Sequence, residues 1–240
     1  MIKPITTMLL SLSLSFSASA ETLTPEAPAA TQMQLIPFKA EYQASYNLGW
    51  FSISISGERK LEQLANGQWL VSFEASTHGA GYKESSLFSY QDNAFQPLEY
   101  HHKTTGLLPK DTRFLRFNPA TKAIDDLENN RSLASQWVDG IQDNLTYMLQ
   151  AGFDLANGKT NLSYPVLKVK NLKQENFKVV GQDRLKTKVG TLDTIKVEQD
   201  LGKKRLVTVW FAPSLNYQMV QLIDSEKGKT SLKIEIVKLN

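Results

Sequence analysis

Residues 177–213, FKVVGQDRLKTKVGTLDTIKVEQDLGKKRLVTVWFAP, restrict the fold more than any other stretch of this chain. They read as three strands cut by two tight turns, one at Gly190 and one at Gly202-Lys203-Lys204. Pro213 ends the last strand, because proline has no amide hydrogen to give to a ladder. In that strand Leu206, Trp210 and Ala212 fall on one face, and Val207, Val209 and Phe211 on the other. A strand that is apolar on both faces has to be covered on both. It therefore belongs in the middle of a covered or curled sheet and not on an exposed edge.

The same period of two runs through most of the chain. Phe38, Ala40, Tyr42, Ala44 and Tyr46 alternate with polar residues, Asn47-Leu48-Gly49 supplies a turn, and Phe51, Ile53 and Ile55 alternate against Ser52, Ser54 and Ser56. Asn66-Gly67, a strong hairpin signal, precedes Trp69, Val71, Phe73 and Ala75. Further runs at 82–90, 97–104 and 112–117 are punctuated by Asn93, Gly106 and Pro109, and residues 122–133 read as one weak strand or hairpin. Strands resume at 162–169 and continue through 217–223 to Leu232, Ile234 and Ile236.

The period changes once. In residues 139–158, Ile141, Leu145, Met148 and Leu149 recur at helical spacing, Asp139 or Asp143 can cap the start, and Asn157-Gly158 makes the stop. A helix of about 15 residues is roughly 22 Å long. Alone among many strands, it is expected to lie across the open face or mouth of a curved sheet. The fold expected is mainly β: a strongly curved antiparallel sheet, half-barrel or barrel-like, with one amphipathic helix packed on or in it, as a single domain over residues 38–240.

Residues 1–20 have Lys3 at the start, an apolar run, and Ala18 and Ala20 in an A-x-A arrangement. This pattern predicts a secretory signal peptide cleaved between Ala20 and Glu21, and hence a periplasmic protein. Glu21 is not the cysteine that a lipid anchor requires. Residues 21–37, rich in Pro, Ala and Thr, read as a flexible leader. No later run is apolar enough to predict a membrane-spanning helix. The chain has no cysteine, so disulfides, thiolate metal sites and thiol nucleophiles are all excluded and stability must come from packing. The formal charge of +3 conceals an asymmetry, net −6 over residues 21–158 and net +8 over 159–240. Either the second half faces an anionic surface, or the lysines are the solvated faces of strands; the second is the simpler account. Nucleic acid is not an expected partner of an exported chain.

Chemistry is sparse. His101 and His102, adjacent on a strand, point to opposite faces, so a metal site would need His78 to meet one of them across the sheet. There is no G-x-S-x-G elbow or S-x-x-K, and Gly79-Ala80-Gly81 leads into a strand and not a helix. Asp125-Asp126 reads as a solvated turn, and Asn144-Leu145-Thr146 and Asn161-Leu162-Ser163 match a glycosylation pattern that recurs by chance. Trp50, Trp69, Trp137 and Trp210 suit core packing, or the lining of a cavity. No catalytic, metal, cofactor-binding or ligand-binding residue is assigned, and no cofactor is expected.

The order of several short motifs carries a resemblance. Tyr42-x3-Tyr46, Pro97-Leu98-Glu99-Tyr100, Ile141-Gln142-Asp143 with Leu145 and Leu149 behind it, residues 189–197 (VGTLDTIKV) and Val209-Trp210-Phe211-Ala212-Pro213 resemble an exported bacterial family called domain of unknown function 3108. The match runs over residues 38–237 and departs at Tyr217-Gln218-Met219, where the family tends to have Leu-Pro. The resemblance implies an envelope protein with a strongly curved antiparallel sheet and supplies no catalytic residue. The expected role is non-enzymatic: binding an apolar or amphipathic ligand, or envelope maintenance. The alternatives are a scaffold for another envelope protein and a glycan or lipid hydrolase.

Overall fold

The computed structural model describes residues 33–47, 52–77, 79–168 and 171–240, which form one fourteen-stranded antiparallel sheet and one α-helix. The first eight strands are β1 (Phe38–Asn47), β2 (Ser52–Gln63), β3 (Trp69–Thr77), β4 (Ala80–Gln91), β5 (Ala94–Gly106), β6 (Thr112–Asn118), β7 (Ala123–Asp126) and β8 (Arg131–Ser132). Helix α1 (Thr146–Ala156) follows. The remaining strands are β9 (Asn161–Leu167), β10 (Leu172–Thr187), β11 (Gly190–Asp200), β12 (Arg205–Ala212), β13 (Gln218–Glu226) and β14 (Lys229–Leu239). The signal peptide read over residues 1–20, together with Trp50 and His78, lies outside the described residues.

Strand order is β8-β7-β6-β5-β4-β3-β2-β1-β14-β13-β12-β11-β10-β9. Every neighbour is adjacent in sequence except β1 with β14. The sheet is therefore two hairpin meanders joined at one seam, which leaves β8 and β9 as its edges. Helix α1 touches β5, β13 and β9, the fourth, tenth and fourteenth strands of that order. An 11-residue helix is only about 16 Å long, so it reaches all three only because the sheet curls around it. Register shifts between β1 and β14, β4 and β5, β10 and β11, β12 and β13, and β13 and β14 supply the coiling, since each one raises the local twist.

The sheet is plugged, not zipped shut. Gln142 forms a parallel bridge with Val166 on β9: its N–H donates to the Pro165 carbonyl at 2.8 Å, and its own carbonyl accepts from Leu167 N–H at 2.8 Å. Leu133 and Ile141, from the segment that crosses the gap, pack with Tyr100, Leu115, Phe117, Ile124 and Leu167 in a cluster separate from the main core. The curved, barrel-like sheet with a single helix is the fold expected from the sequence.

Three details differ from that expectation. Helix α1 starts at Thr146, later than the apolar spacing suggested, because the backbone of Ile141-Gln142 is taken up by the bridge to β9 and Asp143 serves as the cap. Asp143 Oδ1 accepts from Leu145 N–H at 2.8 Å and Thr146 N–H at 3.0 Å, while Thr146 Oγ1 accepts from Asp143 N–H. The helix is also buried on more than one stripe: Leu149, Ala151, Gly152, Phe153, Asp154 and Leu155 are all covered, so it lies in the sheet and not merely on it. Gly152 permits this, since a Cβ there would stand 2.8 Å from the Tyr217 carbonyl oxygen. Third, packing begins before β1. Residues 33–37 end the segment read as leader, yet Met33 is buried in the main core, and Gln34 and Asn216 exchange two hydrogen bonds of 3.0 and 2.7 Å.

In β12, residues 208–212 are buried on both faces, as the double-sided pattern required. Trp210 is covered from outside by Asp183, which accepts its indole N–H at 2.8 Å, and by Lys196, whose ammonium lies 5.8 Å from the ring. Elsewhere the outer face carries cross-strand pairs such as Lys39–Glu58, Lys83–Glu74 and Lys238–Glu41, all well exposed. Pairs of this kind contribute little to stability. The third joins the acidic and basic halves across the β1–β14 seam.

Candidate functional site

Alternation puts Phe38, Ala40, Tyr42, Ala44 and Tyr46 of β1 on the inner face, in register with Leu61, Arg59, Gly57, Ile55 and Ile53 of β2. Burial along this face is graded. Phe38 and Leu61 are buried at one end, whereas Tyr46 and Ile53 are each 40% exposed at the other. The concave surface is therefore packed at the helix end and open at the far end. A cavity of about 660 Å³ lies over the same strands, lined mainly by outer-phase residues, among them Glu41, Ser56, Glu58, Glu74, Ser76 and Lys83, and not by the inward Phe73 or Arg59. The Phe73 ring leans over Gly57, its Cζ 2.9 Å from where a Cβ would be, and packs edge-on to Tyr82 with centroids 6.1 Å apart.

Beyond Tyr82 a polar stripe crosses the inner face. Register aligns Glu84 with His102 and His102 with Arg113, and aligns Ser86 with Tyr100. The residues ahead of α1 settle onto this stripe. Ser86 Oγ donates to Asp143 Oδ2 at 2.5 Å, Asn144 Nδ2 donates to Glu84 at 3.0 Å, and the Tyr100 hydroxyl donates to the same Glu84 oxygen. Burial opposes the charge on Glu84, but the contacts with His102, Tyr100, Tyr82 and Asn144 outweigh it and hold the carboxyl below its usual range. For Asp143 the balance falls the other way: burial pushes its pKa up to about 6 against the hydrogen bonds from Ser86, Leu145 and Thr146. His102 stands 3.6 Å from Glu84 and 3.7 Å from Asp111, both beyond hydrogen-bond distance. The network is a saddle that seats the helix lead-in, with both Asp143 oxygens and Glu84 Oε1 already engaged.

Three buried side-chain atoms among the described residues lack a partner: His102 Nδ1, Gln142 Oε1 and, on the neighbouring strands, Arg59 Nη2. Arg59 is only 6% exposed, its Nη2 has no hydrogen-bond partner among the described residues, and its guanidinium lies 5.7 Å from the Phe38 ring. Burial lowers its pKa, opposed by the neighbouring phenols of Tyr42 and Tyr147. Gly57, two residues before Arg59, faces the same side of β2.

The residues singled out from sequence scatter. His101 is exposed and stacks on Phe114, while His102 is buried, so the two do point to opposite faces. Among the described residues no three His, Asp or Glu side chains converge to hold a metal ion. Asp125-Asp126 is not a solvated turn: it lies on β7, and Asp126 is buried and ion-paired with Arg113 at 2.5 Å and Arg131 at 3.0 Å. The strand period turns its side chain inward, where the two arginines meet it. Asn144 belongs to the interior network and Asn161 is exposed. Trp69 and Trp210 are core residues and Trp137 packs against the second cluster. Arg59 and Glu84 went unnoticed in the sequence, although each stands in the apolar phase of its strand: Arg59 between Ile55 and Leu61, Glu84 between Tyr82 and Phe88. A charge in that phase is the signal that marks them.

No curated protein matches this sequence. Among solved structures, a β-barrel-like protein of domain of unknown function DUF1849 from Brucella abortus superposes with a TM-score of 0.61 at 10% identity, over 87% of this chain and 98% of that one. MucB in complex with MucA(peri) is matched at 10% identity and a TM-score of 0.35, over 85% of this chain and 49% of that chain. A DUF1329 family protein from Desulfovibrio piger gives 11% identity and a TM-score of 0.28, over 88% and 87%. The first of these likenesses shows a shared barrel-like fold and nothing about activity. A family model covers residues 41–236, nearly the whole described sheet, and the chain belongs to the family of proteins of unknown function DUF3108.

Proposed function

We propose that this chain is a non-enzymatic protein of the cell envelope, exported to the periplasm, which holds an amphipathic ligand inside its curled sheet. The observation that carries this reading is the graded inner face of the curl, buried at Phe38 and Leu61 and 40% exposed at Tyr46 and Ile53. Between those ends the same face carries the small Gly57 and Ala75 and the Tyr42 and Tyr82 phenols, a mix of apolar surface and a few polar groups that suits a partly apolar ligand. The half-exposed Tyr46 and Ile53 offer an apolar path into the curl. The signal-peptide pattern supports the location.

Native mass spectrometry on the mature protein purified from its own periplasm tests the reading. A retained amphiphile supports it; a retained protein subunit would favour a scaffold instead, and bare protein that takes up no added amphiphile would end it. Ala75→Phe, which places a ring on the inner face beside Gly57, is expected to weaken amphiphile binding by at least about 10-fold while the far-ultraviolet circular dichroism stays unchanged. Unaltered affinity in that variant would place the ligand elsewhere.

A further inference from the structure

Exposed apolar side chains collect at the open end of the curl. Strand directions alternate, so the β1–β2, β3–β4 and β5–β6 connections and the β11–β12 and β13–β14 turns all stand at one end. Helix α1 packs at the other, on Phe95 and Tyr217. Register ties the open end into a rim: Tyr46 pairs with Ile53 on one side and Leu232 on the other, Leu232 with Asp224, and Asp224 with Val207, while Leu107 N–H donates to the Gly79 carbonyl at 2.7 Å. Among the described residues, five of the nine large apolar side chains left exposed lie on this rim: Tyr46, Ile53, Leu107, Leu108 and Leu201. Leu107 is 86% exposed, although its loop is fixed in place. Thr104 Oγ1 donates to the Pro109 carbonyl at 2.6 Å and accepts from Asp111 N–H at 2.8 Å. A braced turn thus holds two leucines out where polar residues would be the ordinary choice.

The same rim is basic. Lys227 N–H donates to the Lys204 carbonyl at 2.8 Å, which clips the two neighbouring turns together and brings the exposed Lys203, Lys204, Lys227 and Lys229 into one cluster. Acids nearby are engaged: Asp224 pairs with Arg205 at 2.5 Å, Asp200 accepts from Gly202 N–H at 2.7 Å, and Glu226 lies 3.9 Å from Lys227. Lys203, Lys204 and Lys229 have no ion pair among the described residues, unlike lysines of the strand faces such as Lys39 and Lys83. Lys203, Lys204 and Lys227 also have φ of 50°, 63° and 51°, the left-handed region that glycine or asparagine adopts with less strain. Turn geometry therefore does not account for the charge. Apolar tips beside unpaired cations match the interface of an anionic bilayer, where leucine enters between headgroups and lysine stays with the phosphates. The leucines stand on separate turns, which a fluid bilayer can close around one by one. We infer that the mouth of the curl docks on an anionic lipid surface, with Leu107 and Leu108 among the headgroups and Lys203, Lys204, Lys227 and Lys229 against their phosphates. This goes beyond the ligand-holding function and does not depend on it.

Co-sedimentation of the mature protein with lipid vesicles tests it. Vesicles of equal parts phosphatidylglycerol and phosphatidylcholine should be bound at least about 10-fold more tightly than phosphatidylcholine alone, and less tightly at high salt. Lys203→Gln with Lys204→Gln should weaken binding at least about 10-fold. Lys186→Gln with Lys188→Gln, the same loss of charge at exposed positions by the β10–β11 turn of the opposite end, should stay within about two-fold of wild type. Leu107→Ser with Leu108→Ser should weaken binding about 10-fold and leave its salt dependence as it was. All three variants change exposed residues, so melting temperatures should stay at the wild-type value. Equal affinity for the two kinds of vesicle, or none for either, overturns the docking. An equal loss in the Lys186 and Lys188 variant would mean attraction by net charge without the mouth, and a leucine variant that binds like wild type would mean that nothing inserts; each refutes the inference. Self-association that vanishes in the leucine variant, with no binding to vesicles, would make the rim a contact between copies of this chain and refute it as well.

Discussion

Replacing Asp126 by Ala is expected to lower the unfolding free energy by about 3–5 kcal/mol, the cost typical of removing one partner from a buried ion pair. Asp126 is fully buried at the end of β7, and its oxygens accept from Arg113 at 2.5 Å, from Arg131 at 3.0 Å and from the Asn129 side chain at 2.9 and 3.0 Å. Alanine leaves Arg113, itself buried and paired in register with His102 on β5, without an anion. It also removes the acceptor that fixes the β7–β8 turn, one border of the gap plugged by Leu133 and Ile141. For a domain of this size the loss should appear as a melting temperature lower by roughly 10 °C. Burial works against the charge on Asp126, but hydrogen bonds from Asn129 and Arg131 and the Arg113 charge prevail and hold its carboxyl below the usual range. Its stabilisation is thus present above the unfolded-state pKa and lost as pH falls through the folded value. A melting temperature in Asp126→Ala within about 2 °C of wild type would show that the two arginines find water or other partners.

Strand content was legible in this chain because a period of two survives wherever one face is buried and the other wet. β1 and β2 show this cleanly, with Phe38, Ala40 and Tyr42 inside and Lys39 and Gln43 outside. The two-sided burial of β12 was legible as well, since Trp210 and Phe211 are too large and apolar to leave exposed together. What could not be read is which strands close on which. The β1–β14 pairing joins residues some 190 positions apart, and nothing local in Phe38 or Leu239 encodes it. The site was hidden for a related reason. Asp143 looked like one of two helix caps, but its contact with Ser86 spans 57 residues. Arg59 could have been found from phase alone, yet that its guanidinium lacks a carboxylate depends on where Glu84 and Glu175 end up in the fold. The length of α1 was misjudged because Ile141 has helical spacing while its segment is drawn into the bridge at Gln142, and a long-range backbone pairing overrides local periodicity there.

Asp143 should make this protein more stable as the pH falls from about 7 toward 4, the reverse of the Asp126 effect. Its carboxyl is fully buried and its pKa is pushed up to about 6, mainly by burial, with hydrogen bonds from Ser86, Thr146 and Leu145 opposing. Between the ordinary aspartate value and about 6 the folded state binds a proton that the unfolded state has released, so stability declines as pH rises through that window. Above it the ionised carboxylate costs on the order of 2–3 kcal/mol relative to its neutral form. Asn in its place keeps the geometry: its carbonyl oxygen can accept from Leu145 and Thr146 N–H, and its amide can donate to Ser86 Oγ. Asp143→Asn is therefore expected to exceed wild type by about 2–3 kcal/mol at pH 8 and to match it near pH 4. Asp143→Ala, which strands two helix-start amides and the Ser86 hydroxyl, should fall about 2–4 kcal/mol below Asp143→Asn at every pH. Urea midpoints for the three proteins, compared at each pH so that Glu84 and Asp126 cancel, measure both differences. A gap between wild type and Asp143→Asn that stays constant with pH would mean that the Asp143 carboxyl keeps an ordinary acidity inside the saddle, and that the lead-in to α1 is not held against a charge.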